Sequence, residues 1–327
     1  MNISDIAKLA GVSPSAVSRY LNQGYLSEAK REAIRKVIEE TGYRPLAQAQ
    51  ALRTRKTKTI GVVVPRIDSS CVGSVMSGIG AVLAEKGYQI LLADAHGDSG
   101  RELEYLNSLD DQRVDGVILI GTVFTPKHTA MLKNSKVPAV VVGQHLAGVS
   151  CVCHDDYHAF YDITRLLIEK GCRALGFIGA QPQDRAAGQE RSRAYRDAVR
   201  YAGLEDQAWH MAVAGFSLSS GREKARELLE KYGPLDALIC AADSMAAGAL
   251  QYLKSQGIRV PEDIRLTGQG GADLCEVTTP TLTTIRYFYE ESGTRAAELL
   301  LERLENPDAP AREIMLGYQI VENGSSR

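Results

Sequence analysis

The sequence predicts an α/β protein in which an N-terminal helix-turn-helix precedes two doubly wound, parallel-sheet lobes. Three observations carry that expectation. The first twenty-two residues hold two short amphipathic helices joined by a tight, glycine-containing turn. From Thr59 onward, short and nearly continuous apolar runs alternate with helical segments, the pattern of strands buried on both faces of a parallel sheet. The alternation runs through twice, and 327 residues suit two or three cores better than one.

In the first helix Ile3, Ile6, Ala7 and Ala10 fall at i, i+3, i+4 and i+7, a single apolar stripe. Asn2 caps it, Asp5 favours its N-terminal dipole and Gly11 supplies the left-handed position that ends it. Ser13 caps a second helix that opens on Pro14, which has no backbone donor to waste there. This helix turns Val17, Tyr20 and Leu21 inward and leaves Pro14, Ser15, Ser18, Arg19 and Asn22 on the other face. Such a face can enter a major groove, although an ordinary helical hairpin with a solvated side has the same pattern. Ser27 then caps a third helix over 28–41, with Ala33, Ile34, Val37 and Ile38 as its stripe and Gly42 as its end. Tyr43-Arg44-Pro45 is a stop, followed by the short run 46–53.

With those residues in view, 3–58 resembles the DNA-binding headpiece of the lactose/galactose-repressor (LacI/GalR) family, through DIAKLAGVS, VSRYLN, GYRP and AxxLR. The resemblance implies a headpiece over 1–45, a hinge helix and linker over 46–58, and an effector-binding and dimerisation domain over 59–327. In the headpiece Ser15 and Arg19 would reach base edges, while Ser13, Ser18 and Asn22 would hold phosphates. Pro14 replaces a residue that often reads bases in relatives. The run 46–53 is shorter than the roughly 12–15 residues an isolated helix needs, so it would form only when two copies pack on DNA. Ala49 would let the two copies approach, and Leu52 would wedge into the minor groove at the operator centre. Leu46 stands where the family usually has Asn, and Ala47 lacks a polar group, which removes phosphate or cap contacts.

The body reads as strands at 60–64, 89–93, 116–120 and 139–142, with helices at 72–86, 101–111 and 126–135 between them. A second set follows: helix 159–170, strand 174–178, helix 189–202, strand 212–215, helix 219–232, strand 237–241, helix 244–256 and strand 264–268. Two such units suggest similar lobes around a cleft faced by strand carboxyl ends. The family resemblance implies a periplasmic-binding-protein-like pair crossed three times, near Asp155, 282–289 and 313–318. Lobe 1 would then be 59–154 with 286–312, and lobe 2 would be 155–285 with 313–327. Helix 290–304 would belong to the first lobe and a last strand, 314–322, to the second. The tail 323–327 carries no heptad.

The same resemblance places effector contacts position by position. Asp68, Ser69 and Ser70 follow the first strand, and Asp155 lies in the first crossing. Arg191 sits in ERSRAY, which is similar to the family's ERxxGY, and Phe216 stands where relatives put an aromatic over the ligand. Asp243 ends CAAD, Gln269 lies in GQGG and Tyr287 in LTTIRYFYEESG. An arginine fork suits adjacent sugar hydroxyls, a carboxylate or a phosphate, and an aromatic face suits a sugar ring. Three positions depart from the family: Gly268-Gln269-Gly270 where GYD or GFD is frequent, Ala242 for Asn, and Gly143 for Asp. The segments VVGQH, GQGG and LTTIRYFYEESG are similar to sucrose-operon repressors.

Charge divides the chain. Residues 1–58 hold eleven Lys and Arg against five Asp and Glu, a net of +6, so a whole-chain charge of −2 leaves −8 on the remainder. A basic head on an acidic body confines nucleic-acid contact to the head. The six cysteines show no framework spacing and suit reduced thiols in the cytoplasm. No signal-peptide h-region or membrane-spanning run is present. Cys151-Val152-Cys153-His154, with His158 four residues on, looks like a metal cluster, but on a strand the two thiols share one face while His154 points away, so no metal is expected. Gly78-Ile79-Gly80 lacks a third glycine and lies in a helix, and no nucleophile-elbow, zinc-protease or phosphate-loop pattern occurs. The resulting expectation is a dimeric, sugar-responsive repressor on a pseudo-palindromic double-stranded operator, with no cofactor and no membrane partner. The alternative is a sugar-modifying enzyme carrying a DNA-binding head, which would need a nucleophile or acid–base pair in the cleft.

Overall fold

The computed structural model describes residues 1–22, 24–43, 56–111 and 114–327. They fall into two units, Met1–Lys58 and Thr59–Arg327. The first holds α1 (Ile3–Leu9), α2 (Pro14–Leu21) and α3 (Glu28–Thr41). Asn2 and Asp5 form a reciprocal capping box at α1, with the Asn2 side chain accepting from the Ser4 and Asp5 amides. Ile6, Ala7, Ala16, Val17 and Ile34 make the buried centre of the three helices. Ser27 departs from expectation: its backbone enters α3 in the extended conformation of a cap, but its side chain makes no capping hydrogen bond. The predicted hinge run 46–53 lies outside the described residues.

In the second unit the first lobe runs β1 (Thr59–Val64), α4 (Ser70–Glu85), β2 (Gln89–Asp94), α5 (Ser99–Asp110), β3 (Gly116–Ile120), α6 (Pro126–Lys133), β4 (Ala139–Val142) and β5 (Ser150–His154). The second lobe begins with α7 (Asp156–Glu169) and β6 (Leu175–Gly179). A π-helical stretch, Arg185–Glu190, leads into α8 (Arg191–Tyr201), and a 3-10 turn, Glu205–Trp209, leads to β7 (Met211–Val213). Then come α9 (Leu218–Tyr232), β8 (Ala237–Cys240), α10 (Asp243–Ser255), β9 (Arg265–Gly270), α11 (Leu274–Val277) and β10 (Thr283–Tyr287). The chain returns to the first lobe as α12 (Tyr289–Glu305) and β11 (Glu313–Leu316), and ends in the second with β12 (Tyr318–Val321).

Both sheets have six strands, ordered β11-β5-β4-β3-β1-β2 and β12-β10-β9-β8-β6-β7. Pairing is parallel throughout except for β12, which lies antiparallel on β10. This corrects the single last strand expected over 314–322 in the second lobe. The apolar run is two strands broken at Gly317, and its first half closes the first sheet beside β5. The run reads as one strand because its alternation continues across the break.

Alternate residues of β1 feed opposite layers, as burial on both faces requires. Val62 and Val64 join Val75, Ile79 and Leu300 under α4 and α12, while Val63 joins Leu106, Leu109 and Leu132 under α5 and α6. Helix α12 settles on α4 at two glycines. A Cβ at Gly78 would lie 2.0 Å from the Glu290 carbonyl, and one at Gly293 2.0 Å from that of Val75. Gly78 of the Gly78-Ile79-Gly80 sequence is therefore explained by helix packing, whereas a Cβ at Gly80 would meet nothing. The tail is docked: Ser325 and Ser326 are fully buried, with Ser325 Oγ accepting from the Thr283 amide and donating to the Leu266 carbonyl. Among the described residues no helix is long and apolar enough to cross a membrane.

Candidate nucleic-acid interface and ligand cleft

Helix α2 buries Ala16 and Val17 and half-buries Tyr20 and Leu21, so its other face is presented outward. Ser13, Pro14, Ser15, Arg19 and Asn22 are exposed and Ser18 is half-buried. Ser13 Oγ caps the helix by accepting from the Ala16 amide at 3.3 Å and also lies 2.8 Å from Ser15 Oγ. Asn22 donates to the Ser18 carbonyl at the other end. The helix thus offers a row of short hydroxyls and one guanidinium along a single face, chemistry that suits phosphates and base edges. Ala49 and Leu52 lie outside the described residues.

The polar centre of the second unit is Arg191, the first residue of α8, only 7% exposed. Its Nε donates to Asp156 Oδ1 at 2.7 Å, and its Nη1 donates to the Ala241 carbonyl at 2.7 Å and to Gln269 Oε1 at 2.8 Å. Tyr287 donates to the same Asp156 oxygen at 2.9 Å, and Gln269 Nε2 donates to the Tyr289 hydroxyl at 2.7 Å. The guanidinium also lies over the Phe160 and Tyr287 rings, 5.2 and 5.7 Å from their centroids. Burial disfavours the charge, but Asp156 together with the Tyr287 and Tyr289 oxygens outweighs it and holds the Arg191 pKa above its ordinary value. Burial raises the Tyr287 and Tyr289 hydroxyls well above theirs, so both remain neutral donors.

Asp243 forms a second knot at the start of α10. Its carboxylate accepts from Thr284 Oγ1 at 2.6 Å and from the Ala272 amide at 2.9 Å. Burial pushes its pKa up against those hydrogen bonds. A Cβ at Gly268 would stand 2.4 Å from Asp243 Oδ1, and one at Gly270, whose φ is +138°, 2.8 Å from Oδ2. Gly268 is common to both patterns, and the departure at Gly270, where the family has Asp, has a local cause: the Asp243 carboxylate occupies the room that a larger residue would need.

Among the described residues, three side chains of the first lobe reach partners in the second. Gln144, after β4, donates to Asp184 Oδ1 at 2.8 Å, and Tyr289 on α12 receives Gln269. His154 at the end of β5 stacks on Tyr287 with ring centroids 4.5 Å apart. Burial raises the Asp184 pKa and lowers that of His154 to about 4, so the imidazole is neutral near pH 7.

The expected residues fare differently. Arg191, Gln269 and Tyr287 converge, and Asp243 lies beside them in the same wall. Asp68 is exposed and paired with Arg66 at 2.9 Å, Ser69 is half-buried before α4, and Ser70 is exposed. Phe216 is 45% exposed beyond β7. Asp155 caps α7 by accepting from the His158 amide and lies 2.8 Å from its ring nitrogen, whereas its neighbour Asp156 holds Arg191. Sequence reasoning missed Asp156, Gln144, Asp184 and Tyr289. The doubled Asp155-Asp156 was the available signal for the first, since one carboxylate caps a helix and the next points inward. Cys151 and Cys153 do not converge with His154, whose ring lies on Tyr287.

Residues 2–45 match the family described as bacterial regulatory proteins, lacI family, and residues 164–326 match a periplasmic binding protein-like domain. The sucrose operon repressor of Staphylococcus xylosus is 30% identical over 98% of this chain and 99% of its own length. The HTH-type transcriptional regulator CelR of Thermobifida fusca is 36% identical over 97% of this chain and 96% of its own. Among solved structures, a complex of the transcriptional regulator CelR with cellobiose superposes with a TM-score of 0.77 at 30% identity, covering 99% of both chains. The Lac repressor dimer bound to operator and the anti-inducer ONPF shares the fold, with a TM-score of 0.91 at 20% identity over 100% of this chain and 99% of that one.

Proposed function

Because the chain belongs to the lacI family of bacterial regulatory proteins, it is a DNA-binding transcriptional regulator, and we propose that it represses a carbohydrate-utilisation operon under control of a sugar or sugar phosphate bound between the lobes. The observation that carries the effector reading is the chain Tyr289–Gln269–Arg191–Asp156–Tyr287, whose Gln269–Tyr289 hydrogen bond joins the lobes. A sugar has the vicinal hydroxyls to take over the Gln269 and Arg191 donors, exchanging that bond for bonds to itself. The ligand would thereby act on lobe closure, because it replaces a contact between lobes with contacts to each. The sugar-bound CelR structure supports this class of effector.

On the DNA side, Ser15 and Arg19 read bases, Ser13, Ser18 and Asn22 hold phosphates, and two copies of the chain meet two half-sites. The dimeric, operator-bound Lac repressor supports that arrangement. Ala49 and Leu52 complete it as the hinge contact and minor-groove wedge that the resemblance implies. The regulator works in the cytoplasm and carries no catalytic activity in this reading. Two measurements test it. Thermal-shift screening with sugars and sugar phosphates should find a ligand that, at 100 times its dissociation constant, adds about 2.7 kcal/mol of stability. Operator binding by the full chain should weaken steeply with salt, and Thr59–Arg327 alone should not bind. A body fragment that binds operator as tightly as the full chain would remove the head from the mechanism.

A further inference from the structure

The edge of the first sheet gathers donors from three separated segments. His145 lies on the connection from β4 to β5, Cys151 and Cys153 lie on β5, and Glu313 opens the edge strand β11. Ligand atoms of His145, Cys151 and Glu313 all lie within 4.8 Å of one another. Glu313 Oε2 stands 2.7 Å from His145 Nδ1, and Oε1 stands 3.8 Å from Cys153 Sγ. The two thiols are buried, while the imidazole and carboxylate are 37% and 40% exposed. The cluster therefore has a dry floor and an open mouth.

We propose that His145, Cys151, Cys153 and Glu313 bind a divalent cation of the zinc class. Donors around a tetrahedral zinc ion stand about 3.3–3.8 Å apart, given metal–ligand bonds of about 2.0–2.3 Å, so His145, Cys151 and Glu313 must contract by only about 1 Å, and Cys153, beside the other Glu313 oxygen, is the fourth donor to be drawn in. Two thiolates with an imidazole select zinc or cobalt and disfavour magnesium or calcium. Glu313 and His145 can close on the ion from the solvent side without disturbing the sheet. Reading Cys151 and Cys153 with His154 could not find this site, since His154 turns to Tyr287. The imidazole comes instead from the preceding loop and the carboxylate from a strand late in the chain. An ordinary fate for buried thiols is to fill space as small hydrophobes. What points beyond it here is the histidine–carboxylate pair set over both sulfurs, with one oxygen turned to Cys153.

Metal uptake must displace the thiol protons. Burial raises both thiols, Cys153 to about 12, so each binds its proton firmly at neutral pH. Release of both makes the affinity rise by up to about a hundredfold per pH unit near pH 7. Occupancy would tie β11 to β5 and to the connection whose Gln144 reaches Asp184 in the other lobe.

The test is titration of the full-length, reduced, metal-free chain with Co2+ and then Zn2+. One cobalt per chain is expected, with tetrahedral visible bands and a near-ultraviolet thiolate-to-cobalt absorption, displaced by one zinc and strengthened as pH rises. His145→Ala and Glu313→Gln, both on the open side, should weaken binding by roughly tenfold or more while the metal-free melting temperature holds. Cys153→Ser should diminish the thiolate absorption. The proposal is overturned by failure to take up one equivalent, by cobalt bands without thiolate absorption, or by unchanged affinity in both His145→Ala and Glu313→Gln.

Discussion

In the second lobe the polar wall is buried and already occupied: Arg191 is held by Asp156, Ala241 and Gln269, and Asp243 by Thr284 and Ala272. In the first lobe the corresponding strand end carries Asp68, Ser69 and Ser70, exposed or half-buried, and its contributions across the lobes are the single groups Gln144, His154 and Tyr289. Two sheets with matching strand order thus divide the labour. The second lobe holds charge in a dry setting, where one lost partner is costly. The first supplies neutral caps that can be exchanged.

If that division is right, the largest effect belongs to Arg191. Arg191→Ala leaves Asp156 and Gln269 buried without their partner, and breaking a buried ion pair costs about 3–5 kcal/mol. Urea unfolding should show that loss together with a lost effector response. The cost falls on the fold as well as on the effector response because Arg191 is only 7% exposed. An unchanged urea midpoint would mean that the network is ornamental to stability.

The next effect is pH dependence at the seam. The His154 pKa falls from 6.5 to about 4 on folding, through burial. Between those values the unfolded chain binds a proton that the native chain refuses, so stability falls as pH is lowered, by about 3 kcal/mol across the window. The raised pKa values of Asp184 and Asp243 act with the opposite sign, because the native carboxyls bind protons before the unfolded ones do. Comparing wild type with His154→Phe, which can keep a ring on Tyr287, cancels those carboxyls. The variant should lose the steep fall between pH 6.5 and 4 in urea midpoints, and equal slopes would place the acid sensitivity elsewhere.

The smallest effects should come from the first-lobe caps. Gln144→Ala and Tyr289→Phe each remove one hydrogen bond between lobes, worth about 1 kcal/mol. Both should shift effector affinity while leaving operator affinity in the absence of effector within a few-fold. A loss as large as that of Arg191→Ala would abolish the distinction between the lobes.

Much of this was legible locally. The head helices follow from Ile3, Ile6, Ala7 and Ala10 and from the caps at Asn2 and Ser13, because capping and a 3.6-residue period act within a few residues. The alternating strands and helices of both lobes, apart from β5 and β10, were legible for the same reason, and Arg191 and Gln269 through the resemblance that spans the chain. Tertiary structure decided the rest. Nothing in the run through Leu316, Gly317 and Tyr318 shows that its halves join different sheets; pairing with β5 and β10 decides that. Asp155 and Asp156 have the same side chain, and only the first turn of α7 makes one a cap and the other the partner of Arg191. Glu313 reaches His145 and Cys153 because a strand late in the chain closes the first sheet. Periodicity and capping depend on near neighbours, which a sequence displays. The partner of a buried charge depends on which distant segments pack together, and that follows from filling and satisfying the whole interior at once.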